Sequence, residues 1–343
     1  MEDLPERLSI AILGCGKLGT SLLCGFLSPK RSTPTLSTFP SLLSSVRTPL
    51  EISNISVTVR EAASVDRVRQ AVLSLQSTSS PSRPSPPQVT VGLQDQNARA
   101  AQEADVVILG CKSYAFADIL CDQDVRTALL GNERRKTLVS VLGGVTIAQL
   151  QSCLSDSNAQ EFNDKQQRPG ITDPECLCTI VRAVPNMAAR NRESVTIISS
   201  SDPSIPPQDD NNRQVNRLFA LLGPTKTLLE SQINHASAIA ASSLAFYAKI
   251  IAGAADGALD CGNGQGLSKE DAMWISAQAV RGTSGLVAAG QDPSCVVAEV
   301  ATKGGSTAAG LKVMEERGVI EAVSAAVKEC ARATEMLSNA STR

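Results

Sequence analysis

The fold is decided by the stretch Leu8-Ser9-Ile10-Ala11-Ile12-Leu13-Gly14-Cys15-Gly16-Lys17-Leu18-Gly19 near the start of the sequence. Its first six residues form an apolar run with the length of a buried parallel strand. The run leads directly into three glycines with the spacing G-x-G-x-x-G, and residues 20–27 are predicted to form a helix. A strand, a glycine-rich turn and a helix in this order predict the first unit of a parallel sheet covered by helices.

The three glycines have different predicted roles in such a turn. Gly14 permits the tight turn, Gly16 lets a pyrophosphate approach the backbone, and Gly19 lets the helix pack closely on the strand. The start of the helix, with Lys17 and Leu18, offers unpaired N–H groups to the phosphates. The motif therefore predicts a Rossmann-like dinucleotide-binding site.

The residues after the second predicted strand, Ile55 to Val59, bear on the choice of cofactor. In this fold an acidic residue at that point accepts a hydrogen bond from a ribose hydroxyl, whereas an arginine accommodates a 2′-phosphate. Arg60 comes first and favours NADPH, and Glu61 beside it leaves NADH open.

Strand and helix signals alternate over the first two thirds of the sequence. Three polar insertions, at 28–50, 76–88 and 155–175, interrupt them. Further strands are predicted at 89–91, 106–109, 138–141, 178–183 and 195–198. Strand signals cease near Asn234, so we predict a sheet domain over 1–231 and an all-helical domain over 232–343.

Composition excludes several classes of protein. With 32 Lys+Arg against 34 Asp+Glu the net charge is −2, which disfavours binding to nucleic acid or to an anionic membrane. The single histidine, His235, cannot form the usual catalytic zinc sites, so no metal is expected. The ten cysteines are expected to be reduced and buried, and no run of about 18 uncharged apolar residues is expected to span a bilayer.

The helical region has one conspicuous break, at residues 301–311. Asp292-Pro293 predicts the start of a helix that ends near Thr302, and a second helix is predicted to start at Ser306 or Thr307. A Gly-Gly turn that opens a helix with two hydroxyls suits an anion such as a carboxylate, although an ordinary turn between helices has the same sequence.

Several stretches together resemble the pyrroline-5-carboxylate reductase family. They are the glycine-rich motif, residues 104–112, residues 139–146, residues 181–186 and the break at 300–311. The resemblance implies an NAD(P)H-dependent reductase of a cyclic imine in proline biosynthesis, with a dimerisation domain of helices. It also implies a homodimer or higher homo-oligomer. A cytoplasmic location is expected because no stretch resembles a signal peptide or a membrane span, and one long helix is expected over Ala236 to Leu259.

The resemblance also assigns roles to residues. It implies that Thr302, Gly305, Ser306 and Thr307 hold the substrate carboxylate, with the Thr307 hydroxyl at the ring nitrogen. Cys111 and Lys112 join the glycine-rich turn, including Gly14, Gly16, Lys17, Leu18 and Gly19, and Arg60 in the cofactor site. His235 is interpreted as structural.

Two departures from the family pattern leave the substrate open. The segment 241–247 lacks two glycines and a proline, and Lys303 replaces the proline before the Gly-Gly turn. One alternative is a reductase of a six-membered, pipecolate-forming imine, and another is a regulatory nucleotide-binding protein without catalysis. A 3-hydroxyacid dehydrogenase that uses Lys249 as its proton donor is a weaker alternative.

Overall fold

The computed structural model describes residues 6–28, 50–76, 87–131, 136–155, 178–200, 210–259 and 266–340. They fall into two compact units, which we name the sheet unit (described residues up to 240, and 333–340) and the helical unit (described residues within 241–332). Packing thus separates the units after Ala240, and the boundary predicted at 231/232 stays a prediction. The three predicted insertions lie almost entirely outside the described residues.

In the described residues, the sheet unit is built on one eight-stranded sheet with the order β3-β2-β1-β4-β5-β6-β7-β8. The strands are β1 (Glu6–Leu13), β2 (Leu50–Val59), β3 (Gln88–Leu93), β4 (Val106–Leu109), β5 (Lys136–Ser140), β6 (Cys178–Val184), β7 (Thr196–Ser200) and β8 (Thr225–Leu229). From β3 to β6 all neighbours are parallel, as predicted. β7 runs antiparallel to β6, and β8, which the sequence patterns did not reveal, pairs parallel with β7.

Helices cover both faces of this sheet. Those of the sheet unit are α1 (Lys17–Leu27), α2 (Ala62–Gln76), α3 (Asn97–Glu103), α4 (Phe116–Leu120), α5 (Gln123–Leu130), α6 (Ile147–Leu154), α7 (Asp210–Ala220) and α8 (Ile233–Ser237). The apolar residues of β1 alternate between the two faces. Ile10 and Ile12 join one core cluster and Ala11 and Leu13 the other, which explains why the whole run had to be apolar.

The strand order reverses beside β1, and this reversal places a crevice at the carboxyl ends of β1 and β4. The chain steps from β1 to β2 and β3 on one side and then crosses to β4 on the other. Leu13, the last residue of β1, pairs with Leu109, the last of β4. Open α/β sheets bind their ligands at such a reversal.

The long helix predicted over 236–259 is interrupted. α8 passes into a π-helical turn at Ala238–Ser242 and then into α9 (Ser243–Gly257). The prediction of one regular helix is therefore wrong at this turn. The helices that follow are α10 (Lys269–Ala288), α11 (Pro293–Val300), α12 (Ser306–Glu316) and α13 (Val319–Ala340).

The helical unit has almost no core of its own. Among its described residues, the buried apolar ones are three alanines, Ala255, Ala272 and Ala331. Large apolar side chains lie exposed instead, and Trp274 retains 70% of its accessible surface. A helical unit with this pattern needs a partner surface to cover it.

One described helical segment, Glu230–Gly257, is long and apolar enough to cross a membrane by length and composition, with a mean hydropathy of 1.5. The expectation that no segment would pass this test is therefore corrected. The evidence for a membrane span is weak, because a helix that packs against other helices has the same composition.

Candidate active site

The glycine-rich turn shows a separate steric reason for each of its glycines. Gly14 has a φ of +72°, and a Cβ there would lie 2.5 Å from Cys111 Cβ. A Cβ on Gly19 would lie 3.0 Å from Cys15 Sγ and 3.3 Å from Ile12 Cγ2, because α1 packs directly on β1. At Gly16 the nearest atom to such a Cβ is 4.0 Å away, so this position faces open space.

A network of hydrogen bonds that the sequence analysis did not predict fixes the backbone of the glycine-rich turn. The Thr58 carbonyl accepts from the Cys15 N–H at 2.8 Å, and its hydroxyl accepts from the Gly14 N–H at 3.4 Å. The same hydroxyl donates to Asn97 Oδ1 at 2.6 Å. From α2, Arg67 Nη2 donates to the Cys15 carbonyl at 3.3 Å. These contacts fix the backbone of the turn from three other elements.

The N-terminus of α1 presents free donors beside the open position. Gly16 is the N-cap and contributes no side chain, so the N–H groups of Lys17, Leu18 and Gly19 have no acceptor within the helix. Lys17 is exposed. The space over Gly16 together with these donors fits the pyrophosphate of a dinucleotide.

Arg60 lies directly after β2 on the surface. Its Nη2 donates to Glu61 Oε1 at 3.2 Å, and the Tyr114 side chain lies near the guanidinium. Both neighbours raise the pKa of the Arg60 guanidinium, Glu61 foremost. Tyr114 belongs to the loop after β4, and its part in this group was not foreseen, because 54 residues of sequence separate the two side chains.

The loop after β4 brings Cys111 and Lys112 next to the turn. Cys111 lies against Gly14, and burial raises the pKa of its thiol to about 12, so it is a neutral packing group. Lys112 is exposed. Ser113 Oγ donates to the Gly143 carbonyl at 2.7 Å and so joins this loop to the one after β5.

The stretch 181–186 includes the end of β6 and anchors a cluster around the buried Arg182. Arg182 is buried, and its Nη1 donates to Glu230 Oε1 at 3.3 Å, while burial lowers the pKa of its guanidinium. Glu230 Oε1 also accepts from the Ile147 N–H at 2.8 Å, at the start of α6. Asn186 Nδ2 donates to the Ala240 carbonyl at 2.8 Å. These residues hold β6, α6 and the start of the long helical segment together.

The second group of predicted residues lies at the break between α11 and α12. α11 begins at Pro293 with Asp292 as its N-cap, and α12 begins at Ser306, both as predicted. Gly304 has a φ of +76°, which only glycine adopts readily. A Cβ on Gly305 would lie 2.5 Å from Thr302 Oγ1, so the Thr302 hydroxyl sits close to the N-cap of α12.

This break exposes several donors at once. Gly305 is the N-cap of α12 and supplies no side-chain cap, so the first N–H groups of α12 have no acceptor within the helix. Thr302, Ser306 and Thr307 are exposed, as is Lys303. Hydroxyl-bearing residues and unpaired N–H groups thus lie together at the start of α12, where an anion is favoured.

The structure therefore gathers the predicted residues into two groups. Gly14, Gly16, Gly19, Arg60 and Cys111, with Lys17, Leu18 and Lys112, lie at the carboxyl edge of the sheet. Thr302, Gly305, Ser306 and Thr307 lie within one turn of the helical unit. In the described residues no group of three or more His, Cys, Asp or Glu side chains could hold a metal ion.

The chain is similar to known proteins along nearly its whole length. A family model described as pyrroline-5-carboxylate reductase dimerisation matches residues 230–337. A pyrroline-5-carboxylate reductase of Penicillium fellutanum is 36% identical over 339 residues, which cover 97% of this chain and 92% of that protein. The enzyme of the same name from Neurospora crassa is 32% identical and covers 94% of this chain and 91% of its own length.

The solved structures show the same fold. The Plasmodium falciparum pyrroline carboxylate reductase with NADP bound matches with a TM-score of 0.63 at 17% identity, covering 98% of this chain and 99% of that one. The sequence similarity along nearly the whole length identifies this chain as a member of the pyrroline-5-carboxylate reductase family, NAD(P)H-dependent oxidoreductases that act on a cyclic imine.

Proposed function

We propose that the chain reduces 1-pyrroline-5-carboxylate to L-proline, with NADPH as the preferred cofactor, and so serves proline biosynthesis. The observation that carries the assignment of the substrate site is the start of α12, where unpaired N–H groups and the hydroxyls of Thr302, Ser306 and Thr307 meet around Gly305. A carboxylate is the anion that this substrate offers.

The substrate carboxylate is held by the backbone at the break. The N–H groups of Ser306 and Thr307 point along the axis of α12, where the helix dipole favours a negative charge. Gly305 keeps this position open, and the Thr302 hydroxyl completes the donor set. Lys303 adds a positive charge next to the carboxylate and strengthens the attraction at long range.

The reaction needs little acid–base help from the protein. In a cyclic imine protonated on nitrogen, the adjacent carbon is electrophilic enough to accept a hydride without further activation. The protein therefore has to orient the imine and exclude water. The Thr307 hydroxyl holds the ring nitrogen and relays a proton to it from water. When bound, the nicotinamide dinucleotide supplies the hydride.

The residues for the cofactor lie in the sheet unit. The pyrophosphate takes the space over Gly16 and the N–H groups of Lys17 and Leu18, while Cys111 and Lys112 form the adjacent wall. Arg60 binds the 2′-phosphate that distinguishes NADPH from NADH. The hydrogen bond from Arg60 to Glu61 holds the guanidinium at the edge of the site, with Tyr114 nearby.

The protein acts as a homodimer or a higher homo-oligomer. The support is the family model for dimerisation over residues 230–337 together with the exposed apolar side chains of the helical unit. The cytoplasm is the compartment we propose, since the eight described cysteines are free thiols and a reducing compartment keeps thiols in this state.

The experiment is an assay of the purified protein with NADPH and 1-pyrroline-5-carboxylate, followed by the loss of cofactor absorbance and by detection of L-proline. We expect turnover that depends on the imine. A six-membered imine carboxylate is assayed in parallel, and faster turnover of that compound would replace the proposed substrate. Binding of NADPH with no oxidation by any cyclic imine would refute the enzymatic proposal.

The Thr307→Ala variant tests the assignment of roles within the site. Because the hydroxyl acts where the charge on nitrogen changes, kcat should fall about 100-fold, with a smaller rise in KM. Thr307→Ser should recover much of the activity. Thr283→Ala is the matched control, since Thr283 lies in the same unit and its hydroxyl bonds the Ala279 carbonyl at 3.0 Å. If Thr307→Ala turns over like Thr283→Ala, the break at 302–307 is not the substrate site.

A further inference from the structure

A half-buried glutamate, Glu230, caps the N-terminus of α6 from a distant part of the chain. It follows β8 directly, and its Oε1 accepts from the Ile147 N–H at 2.8 Å, across 83 residues of sequence. Ile147 is the first residue of α6, and the N-cap Thr146 accepts from the Gln149 N–H instead. A carboxylate at this place satisfies a free N–H group and meets the positive end of the helix dipole. Glu230 therefore fixes the start of α6.

A buried arginine holds this carboxylate in place. Arg182 retains 3% of its accessible surface. Its Nη1 donates to Glu230 Oε1 at 3.3 Å, and its Nη2 donates to Asn234 Oδ1 at 3.4 Å. The Arg182 N–H donates to Ser199 Oγ on β7 at 3.1 Å, which ties the arginine to the sheet. A guanidinium this deeply buried needs a counter-charge, and the Glu230 carboxylate supplies it.

The helix that Glu230 caps begins at a loop beside the cofactor crevice. This loop, residues 141–146, follows the carboxyl end of β5, the strand next to β4. The carbonyl of the exposed Gly143 accepts from Ser113 Oγ at 2.7 Å. A Cβ on Gly143 would meet no atom of the described residues within 4 Å apart from its chain neighbours, so this part of the loop faces open space. The loop is thus bonded at Gly143 and, through the first residue of α6, at its end.

We propose that Glu230 is a positioning residue for the nicotinamide half of the cofactor, an inference that rests on the dinucleotide site proposed above. The contact proposed for Arg60 places the adenosine half at the end of β2, on one side of β1. The other half then extends over β4 and β5, on the opposite side of β1, where the loop 141–146 follows β5. Because Glu230 orders the loop before the cofactor arrives, binding does not have to supply the free energy of ordering it.

Two double variants isolate the hydrogen bond to Ile147. Arg182→Met/Glu230→Gln keeps a side-chain oxygen for the Ile147 N–H, and Arg182→Met/Glu230→Ala does not. Both replace the buried guanidinium with an apolar side chain, so neither leaves a buried charge without its partner. Calorimetric titration measures the Kd for NADPH and for adenosine 2′,5′-bisphosphate, which lacks the nicotinamide half.

The two ligands are expected to respond differently. The Kd for NADPH should rise about tenfold in the variant with alanine and at most about threefold in the variant with glutamine. The Kd for adenosine 2′,5′-bisphosphate should stay within about twofold of the wild-type value in both. Hydrogen exchange of the segment 141–149, followed by mass spectrometry, should be faster in the variant with alanine. Equal Kd values of the two variants for NADPH, or equal losses of affinity for both ligands, would overturn the proposal.

The matched control makes the same exchange at another arginine–glutamate pair of the sheet unit. Arg217 of α7 pairs with Glu6 at the amino end of β1, on the edge of the sheet opposite the crevice. Arg217→Met/Glu6→Ala should bind both ligands like the wild type. A loss of NADPH affinity equal to that of Arg182→Met/Glu230→Ala would assign the effect to any lost ion pair and refute the role of Glu230. These titrations need no imine, so a wild-type protein that turns over no imine would contradict the proposed reaction alone.

Discussion

Substitution of two glycines of the same turn is expected to have different effects: a side chain at Gly14 lowers the stability of the fold, and one at Gly16 prevents cofactor binding. In Gly14→Ala the new Cβ would lie 2.5 Å from Cys111 Cβ, on a backbone with a φ of +72°. The left-handed conformation costs a non-glycine residue about 1–2 kcal/mol, and overpacking adds about 1–3 kcal/mol. Their sum, about 2–5 kcal/mol, lowers the melting temperature by roughly 5–15 °C in a unit of this size.

Gly16→Val should leave the fold nearly intact and remove the cofactor. The nearest atom to the new Cβ is 4.0 Å away, and the φ of −83° suits any residue, so the cost is the weaker N-cap, about 0.5–1 kcal/mol. The valine side chain fills the space that the pyrophosphate needs. Loss of two charge-assisted hydrogen bonds from N–H groups, at about 1.5–3 kcal/mol each, weakens binding by more than about 100-fold.

The two variants are compared by thermal unfolding, followed by circular dichroism, and by calorimetric titration with NADPH and with NADH. The expected pattern is a destabilised Gly14→Ala protein and a stable Gly16→Val protein that binds neither nucleotide. If the Kd of Gly16→Val for NADPH lies within threefold of that of the wild-type protein, the proposed dinucleotide site is refuted. A Gly14→Ala protein as stable as the unchanged one would refute the steric argument.

Three further predictions concern the cofactor, the fold and the assembly. Arg60→Ala should raise the KM for NADPH roughly tenfold and leave the KM for NADH nearly unchanged, because Arg60 binds the 2′-phosphate. Equal increases in both KM values would contradict this. The control is Arg7→Ala, since Arg7 is similarly exposed and paired with a glutamate, at the opposite end of β1. Lys136→Met should lower the free energy of unfolding by about 2–4 kcal/mol in a denaturant titration. The reason is that the buried Lys136 Nζ donates to three carbonyls at the end of α3 at 2.6–2.9 Å. An unchanged denaturation midpoint would show that these hydrogen bonds contribute nothing to stability. Light scattering at micromolar concentration should give at least twice the chain mass of 35.9 kDa, and Trp274→Glu should shift the protein towards the monomer; a monomeric unchanged protein would contradict the assembly.

Much of the fold follows from local sequence. The apolar run of β1, the glycine spacing and the start of α1 are neighbours in the chain, and so are Asp292 with Pro293 and Gly305 with Ser306. Patterns of this kind act over a few residues, so they predict the strands, the turn and the helix starts without any tertiary information. The candidate site residues of each unit were predicted from such patterns and from the family resemblance.

Other features were decided by the tertiary structure alone. β8 was missed because it is short and partly exposed, and its alternation is weak. The antiparallel step from β6 to β7 depends on how the chain returns to the sheet and not on the composition of either strand. The π-helical turn at Ala238–Ser242 follows no breaker residue, so a periodic pattern predicts a regular helix there.

The contacts that tune the site join residues far apart in the chain. Thr58 bonds Asn97 beneath the glycine-rich turn, and Ser113 bonds the Gly143 carbonyl. The local sequence around each of these residues does not indicate its partner. The partner is determined by the pairing of strands and the packing of helices on the sheet. The sequence by itself determined which elements form and which backbone positions must be glycine. Tertiary structure decided which side chains meet, because a hydrogen bond depends on distances in space that local propensity does not encode.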